Sequence, residues 1–308
     1  MVIPASLYLP IAGNSVNMFA ILSLGGVVGL LSGIFGVGGG FLMTPLLIMM
    51  GIPPTVAAAS DSNQIVGAST SGTLAHFRLG NVDFKMGLLL LLGGIIGGTV
   101  GVQIIKILRQ MGNADFLINV TYVLMLGMIG GYMFVESLQA MRNIEKEKPA
   151  PKESAYVKFM NLLPFQMEFQ RSGVKLSLLM PLLLGILVGI LAAIMGVGGG
   201  FIMVPIMVYL LRMPMHVVVG TSLFQILFTC INVTIMQSWE NHTVDFVLAL
   251  LLLIGSALGA QLGTKIGRKL NGEHLKILLA SLVLVVMVKM LYGLLATPSV
   301  LLAYTGGH

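Results

Sequence analysis

Charge is scarce in this chain. Across 308 residues there are 17 Lys and Arg and 11 Asp and Glu side chains, 9% of the sequence, against 56% apolar residues. So few charges cannot cover a water-exposed globule of this length, so the bilayer must be the main solvent and the chain reads as an integral membrane protein. A single cysteine, Cys230, excludes an internal disulfide framework and a thiolate metal cluster. The net charge of +6 does not point to nucleic acid, because the basic residues sit in short loops between apolar runs, where the positive-inside bias places them. The first apolar run, about residues 15–35, has no Lys or Arg before it and no small-residue cleavage pattern at its exit. It is expected to stay as a span and not to be removed as a signal peptide.

What the chain does have is a copy of itself. The stretch Gly29-Leu-Leu-Ser-Gly33-Ile-Phe-Gly36-Val-Gly38-Gly39-Gly40-Phe41-Leu-Met43-Thr-Pro45 returns as Gly189-Ile-Leu-Ala-Ala193-Ile-Met-Gly196-Val-Gly198-Gly199-Gly200-Phe201-Ile-Met203-Val-Pro205, at a constant offset of 160. Pro54 and Ser62 continue the match at Pro214 and Ser222. Further on, Val82-Asp83 answers to Val244-Asp245, and Gly93, Gly97 and Gly101 to Gly255, Gly259 and Gly263, at an offset of 162. A duplicated half shows how a fold was assembled, and each half here carries the same order of elements.

Each half holds five apolar segments: about 16–35, 41–51, 55–76, 84–107 and 115–138, then 176–195, 201–211, 215–238, 244–266 and 275–296. The second of each five rises only about 17 Å as a helix, against roughly 30 Å of hydrocarbon, so it is short or broken. Ten crossings put both termini on one side. Placing them outside brings Arg78, Lys85, Arg212, Lys265, Arg268, Lys269, Lys276 and the basic residues of the central segment inside, leaving Lys106 and Arg109 outside. With five crossings per half, the repeats are then inverted. The expected fold is an all-α integral membrane protein of about ten transmembrane segments: a first repeat over 1–138, a cytoplasmic connector over 139–175 and a second repeat over 176–308. Within the connector, Phe165-Gln-Met167-Glu-Phe169-Gln alternates apolar and polar residues before Arg171-Ser172-Gly173, as either a small surface hairpin or a flexible linker would.

The glycine clusters decide where chemistry is sought. Gly36-Val-Gly38-Gly39-Gly40-Phe41 lacks the third glycine of a dinucleotide fingerprint, and no Lys-Ser/Thr follows as in a phosphate loop. Inside a bilayer, consecutive glycines break a helix, and the freed backbone groups must face protein or a water-filled cavity. The short segments starting at Phe41 and Phe201 would point N–H groups and a positive dipole end into such a cavity, which suits an anion. The spaced glycines of residues 93–101 and 255–263 read instead as close helix packing.

The third segment carries Ser60-Asp61-Ser62-Asn63-Gln64, with Ser69, Thr70, Ser71 and Thr73 beyond, and the matching half offers Thr221, Ser222 and Gln225. An ionisable residue inside a span is a functional candidate, so Asp61 is read as a proton carrier or a network anchor. Lying about two turns after Pro54, it could instead sit at the outer interface. Ser62, Gln64, Thr221, Ser222 and Gln225 are candidate donors to an oxyanion or partners for neighbouring helices. His76 and Arg78 close the segment as a positive-inside end or an anion-attracting mouth. His216, His242 and His274 lack metal spacing, so no metal and no cofactor is expected. Ser69 and His76 on one helix, two turns apart, are a poor nucleophile and base, so an enzyme is not expected.

At the repeated Gly-Val-Gly-Gly-Gly-Phe with its following Pro, and at Val219-Gly220-Thr221-Ser222-Leu223-Phe224, the chain resembles the TauE/SafE family of sulfite and organosulfonate exporters over nearly its whole length. The resemblance implies transport of small sulfur-containing anions across a bacterial inner membrane, often outward, by alternating access. A channel or facilitator is the alternative, and an intramembrane enzyme a more distant one. The expected substrate contacts are Gly38, Gly39, Gly40, Phe41, Gly198, Gly199, Gly200 and Phe201 through the backbone, with Ser62, Gln64, Thr221, Ser222 and Gln225 as side-chain donors and Asp61 coupling a proton. Where the second half reads Gly220-Thr221-Ser222, the first reads Ser60-Asp61-Ser62, so an anion site near Asp61 requires that carboxyl to be protonated or turned away.

Overall fold

Two β-hairpins open the two halves, and helices make up nearly all the rest. The computed structural model describes residues 6–35, 40–142, 166–211, 213–267 and 272–296. In the first half, strands β1 (Ser6–Leu9) and β2 (Asn14–Asn17) pair antiparallel, followed by helices α1 (Met18–Phe35), α2 (Gly40–Met49), α3 (Pro54–Arg78), α4 (Phe84–Gln110) and α5 (Ala114–Arg142). The second half repeats this order with β3 (Gln166–Phe169), β4 (Val174–Ser177), α6 (Leu179–Met195), α7 (Gly200–Pro205), α8 (Met215–Met236), α9 (Phe246–Gly267) and α10 (Gly272–Leu295). Most of the expected connector and the loop glycines Gly36, Gly38 and Gly39 lie outside the described residues.

The hairpin after residue 165 matches its alternation. The one at residues 6–17 went unread, although the 160-residue offset lays it on its counterpart: Gly13 falls on Gly173, both at φ +66, and the Leu9 and Phe169 carbonyls accept the N–H of these two glycines at 2.9 and 2.8 Å. Only glycine takes such a turn without strain. The first apolar segment therefore begins as strand and becomes helical only at Met18.

The short second segments are short in the structure as well. Helix α2 has ten residues, and α7 has six before it widens into a π turn over Ile206–Leu210, directly after Pro205, which has no N–H for the helical ladder. Among the described residues, five helices are long and apolar enough to cross a membrane, within Phe84–Gln110, Ala114–Gln139, Met215–Asn241, Phe246–Gly263 and Ile277–Leu295, while Met18–Ser32, Gly40–Met49 and Leu179–Met195 are apolar but shorter. Helix α3 has the length, at 25 residues, but carries the polar run from Ser60 to Gln64. That run is turned inward: Ser60, Asp61, Ser62 and Gln64 are all buried. The outer faces of α5 and α10 instead expose Phe116, Leu124, Met128, Leu278, Val285 and Val288, side chains that suit lipid and not water.

The halves are stitched by exchange. Helix α1 packs on α9 and α4 on α6, while α3 lies against α8 and α5 against α10. The first two crossings are glycine seams. A Cβ on Gly97 would stand 2.0 Å from the Ile186 carbonyl oxygen, and one on Gly93 2.2 Å from that of Leu182. The related seam repeats the geometry, with Gly259 2.0 Å from the Gly26 oxygen and Gly255 2.4 Å from that of Leu22. Backbone meets backbone here because no side chain intervenes, as the spacing of four predicts.

Candidate functional site

Helices α3 and α8 cross at the centre, and their polar groups hold the loops of the opposite half. Ser60 Oγ accepts the Asp245 N–H at 3.1 Å, and Thr221 Oγ1 accepts the Asp83 N–H at 3.0 Å. Both aspartates cap the next helix, Asp83 Oδ1 accepting from the Met86 N–H at 3.2 Å and Asp245 Oδ1 from the Leu248 N–H at 3.1 Å. Asp83 Oδ2 is also held by the tip of the β3–β4 hairpin, through the Ser172 N–H at 3.1 Å and its hydroxyl at 2.6 Å. The counterpart of Ser172 is Ala12, which has no hydroxyl, and Asp245 Oδ2 has no hydrogen-bond partner among the described residues.

These contacts correct the alignment of the halves. Ser60 and Thr221 do the same job at an offset of 161, so one residue is gained between Pro54 and this point. A one-residue shift turns a helix by about 100°. Asp61 therefore answers to Ser222 and not to Thr221, Gln64 to Gln225, and His76 to Gln237, whereas the pairing of Ser62 with Ser222 fails.

A cavity of about 480 Å³ runs from the start of α7 to the last turn of α3, with Gln64, Ser69, His76, Gly200, Ser256 and Gln261 among its walls. Gln64 donates from Nε2 to Ser256 Oγ at 2.6 Å, and Ser69 Oγ donates to the Ile65 carbonyl at 2.7 Å. The related positions in the other half are closed. Gln225 is fully buried and donates to Thr229 Oγ1 at 2.9 Å, with Gly94 standing where Ser256 stands. Gln237 is buried too; it donates to the Ala193 carbonyl at 3.4 Å and accepts from Asn241 Nδ2 at 2.6 Å and Thr243 Oγ1 at 3.3 Å.

The breaks meet. Phe41 and Phe201, the first side chains after the two glycine clusters, stack face to face with centroids 4.3 Å apart and planes at 9°. The described break, before α7, has Gly196, Gly198 and Gly199 at φ of +74, +67 and +79. It is tightly walled: a Cβ would come within 2.1 Å of the Ala58 oxygen at Gly196, 2.6 Å of Cys230 Sγ at Gly198 and 2.2 Å of Val188 Cγ1 at Gly199. Only Val197 and Gly200 of this stretch reach the cavity.

Among the other expected site residues, the structure places Gln64 on the cavity and the rest behind it. Thr221 is engaged by the Asp83 loop, Ser222 Oγ donates to the Val219 carbonyl at 3.1 Å, and Ser62 Oγ has no partner among the described residues. Asp61 is wholly buried within the protein. Thr44 Oγ1 of α2 donates to its Oδ2 at 2.8 Å, a Cβ on Gly40 would lie 3.5 Å from the same oxygen, and Oδ1 has no partner among the described residues. Nearby, Tyr122 of α5 donates to the carbonyl of Met195, the last residue before the second break. Ser256 and Gln261 were missed because α9 reads as a packing helix; only their polarity within an apolar run marked them. No group of three or more His, Cys, Asp or Glu gathers among the described residues.

Comparison with known proteins gives a consistent result. A family model described as "Sulfite exporter TauE/SafE" matches residues 21–290. The "Probable membrane transporter protein YunE" of Bacillus subtilis (strain 168) is 24% identical over 284 residues, 87% of this chain and 95% of that protein. "Probable membrane transporter protein YjnA" of the same organism is 26% identical over 269 residues, covering 86% and 96%. "Sulfite exporter TauE/SafE family protein 2" of Arabidopsis thaliana is 30% identical over 102 residues, 33% of this chain and 22% of that one. No solved structure matches.

Proposed function

This chain belongs to the sulfite exporter TauE/SafE family of membrane transporters, and from that premise we propose that it is a secondary transporter of small sulfur-containing anions such as sulfite or organosulfonates. In this reading it crosses a bacterial inner membrane about ten times as two inverted repeats, with termini outside and connector inside. The observation that carries the proposal is the one-sided cavity. Gln64, Ser256 and His76 line open space, while their counterparts Gln225, Gly94 and Gln237 are packed shut. Rocking the exchanged pairs α1–α9 and α4–α6 would close the first set and open the second, which is what two structurally equivalent but unequally open halves allow.

The anion would enter beside His76, reach Gln64 and Ser256, and meet the backbone at Gly200. Gly200 would present its N–H near the stacked Phe41 and Phe201, while Gly198 and Gly199 are walled off from the cavity in this state. An inside-negative potential drives an anion outward by about 2.3 kcal/mol per charge for each ~100 mV, so export needs no nucleotide. Asp61 lies behind this path with one free carboxyl oxygen, and we assign it to proton coupling through Thr44.

Counterflow in proteoliposomes tests the function: internal unlabelled sulfite or sulfonate should drive transient accumulation of external labelled substrate. A pore gives equilibration without overshoot, which would remove the transporter reading. For Asp61, an imposed pH gradient should drive accumulation by the parent and not by Asp61→Asn, whose counterflow at equal pH persists. Gradient-driven uptake by Asp61→Asn equal to the parent's would take the proton away from this residue.

A further inference from the structure

Among the described residues, the cavity wall has no permanently charged side chain to offer an anion. Among its described lining residues His76 is the one ionisable side chain; the polar remainder is hydroxyl and amide. Two of those donors are already engaged, Gln64 with Ser256 and Ser69 with the Ile65 carbonyl. An anion drawn from water into such a space loses hydration that neutral dipoles only partly replace, and an opposite charge is the strongest compensation.

The surroundings of His76 leave its charge available. From α8 the cavity receives Val219 and Leu223 at this end, and from α9 Ala257, Ala260 and Gln261, none of them charged. Arg78 follows two residues later on α3 and Lys265 one turn past Gln261 on α9, both cationic. The carboxylate closest in sequence, Asp83, is taken up by Met86 and Ser172. No acid lines the cavity among the described residues, so an imidazolium here would have no built-in counter-ion. The ring is held on one side: Asn81 Nδ2 lies 3.5 Å from His76 Nδ1, and an amide serves either ring state by turning its nitrogen or its oxygen to that atom.

The other half shows what the position does without charge. Gln237 occupies the place of His76, and its amide is used up by Ala193, Asn241 and Thr243. Thr243 meets Gln237 from six residues on, across a π turn over Gln237–Asn241, where Asn81 meets His76 from five, so the two positions correspond in place while their local backbone and the ionisable ring differ.

We infer that His76 is the charge-setting and specificity-determining residue of this cavity: as imidazolium at the mouth it captures the head of a singly charged oxyanion, a sulfonate or hydrogen sulfite, entering from the Arg78 end. A doubly charged anion is left with one charge unmatched and is discriminated against. Because His76 sits at the mouth, it governs capture from that side, whereas Asp61 lies deeper and is assigned to coupling. This inference rests on the transporter reading above and specifies its substrate class.

The test uses the full chain in proteoliposomes at equal pH on both faces, across roughly pH 5 to 8. The probe is labelled methanesulfonate, which stays singly charged throughout, with labelled sulfite alongside. On the alkaline side the parent's apparent KM for methanesulfonate should rise about tenfold per pH unit, as one-proton linkage requires. His76→Gln, the residue of the other half, should hold the parent's alkaline KM at every pH, and His76→Lys its acid KM at every pH. Sulfate should compete at least about tenfold more weakly than methanesulfonate. A parent-like pH profile in His76→Gln, a flat profile in the parent, equal competition by sulfate, or two inserted but inert variants would each overturn the inference. A parent that moves neither probe would overturn the transporter reading itself.

Discussion

Oxidising a Gly94→Cys/Thr229→Cys double variant, in a Cys230→Ala background, should stop counterflow by at least about a hundredfold, and reduction should restore it. A Cβ on Gly94 would lie 3.6 Å from Thr229 Cβ. That is within the roughly 3.5–4.5 Å that a disulfide spans between its Cβ atoms, so the pair should close without moving α4 or α8. The site was chosen because it is shut. Gly94 faces Gln225 and Thr229 at the place where, in the other half, the hydrogen-bonded pair Gln64 and Ser256 forms part of the cavity wall. If transport requires the closed side to open in its turn, a covalent clamp there holds the protein in the state seen and leaves the alternate state unpopulated. A protein that conducts through the His76 cavity without alternation would pass substrate equally well oxidised and reduced. Thiol titration before and after oxidation reports whether the bond has formed, so flux that persists with the thiols consumed rejects alternation at this interface.

Gly97→Leu and Gly259→Leu should each prevent assembly of the helical bundle, with a loss above about 4 kcal/mol, at the far end of what single substitutions do. The cause is local. A Cβ at either position would come 2.0 Å from a carbonyl oxygen on the opposing helix, Ile186 or Gly26, and backbone atoms in mid-helix cannot step aside as a side-chain tip can. The two helices would have to separate along the whole seam, taking Gly93 or Gly255 out of contact as well. Gly131→Ala and Gly293→Ala are the controls. Nothing lies within 4 Å of a Cβ at either, and alanine is the better helix former by about 1 kcal/mol, so both should be neutral or slightly stabilising. Thermal unfolding in detergent, followed by recovery of monodisperse protein, separates the two classes. Leucine variants that unfold within a few degrees of the parent would show that the seams are looser than this packing requires.

The seams were legible from spacing alone, as were the paired aspartate turns and the interrupted second helices, because each depends on residues close in sequence: glycine every fourth position, a capping carboxylate, a run of helix breakers. The hairpin at residues 6–17 was equally local, yet it was passed over because Leu7 to Asn17 joins an apolar run that reads as the start of a span. Helix α3 is the opposite case. Its polar stretch makes it a weak span by composition, and only the inward turn of Ser60 to Gln64 reconciles length with environment.

By itself the sequence determined that the solvent is lipid, that the chain is one unit duplicated, and that consecutive glycines break the chain before α7, since composition and repetition carry that information without any contact being known. Tertiary structure alone decided which polar residues face open space. A single extra residue before Thr221 shifts the register of α8 against α3, so that Asp61 answers to Ser222, and the fold places Gln64, His76 and Ser256 on the cavity while Gln225 is buried away from it. Such contacts join residues as far apart as Ser60 and Asp245, 185 positions along the chain. The openness of one half against the other is a property of how equivalent helices pack, and the shared glycine motifs and element order give no local sign of which half will be the open one.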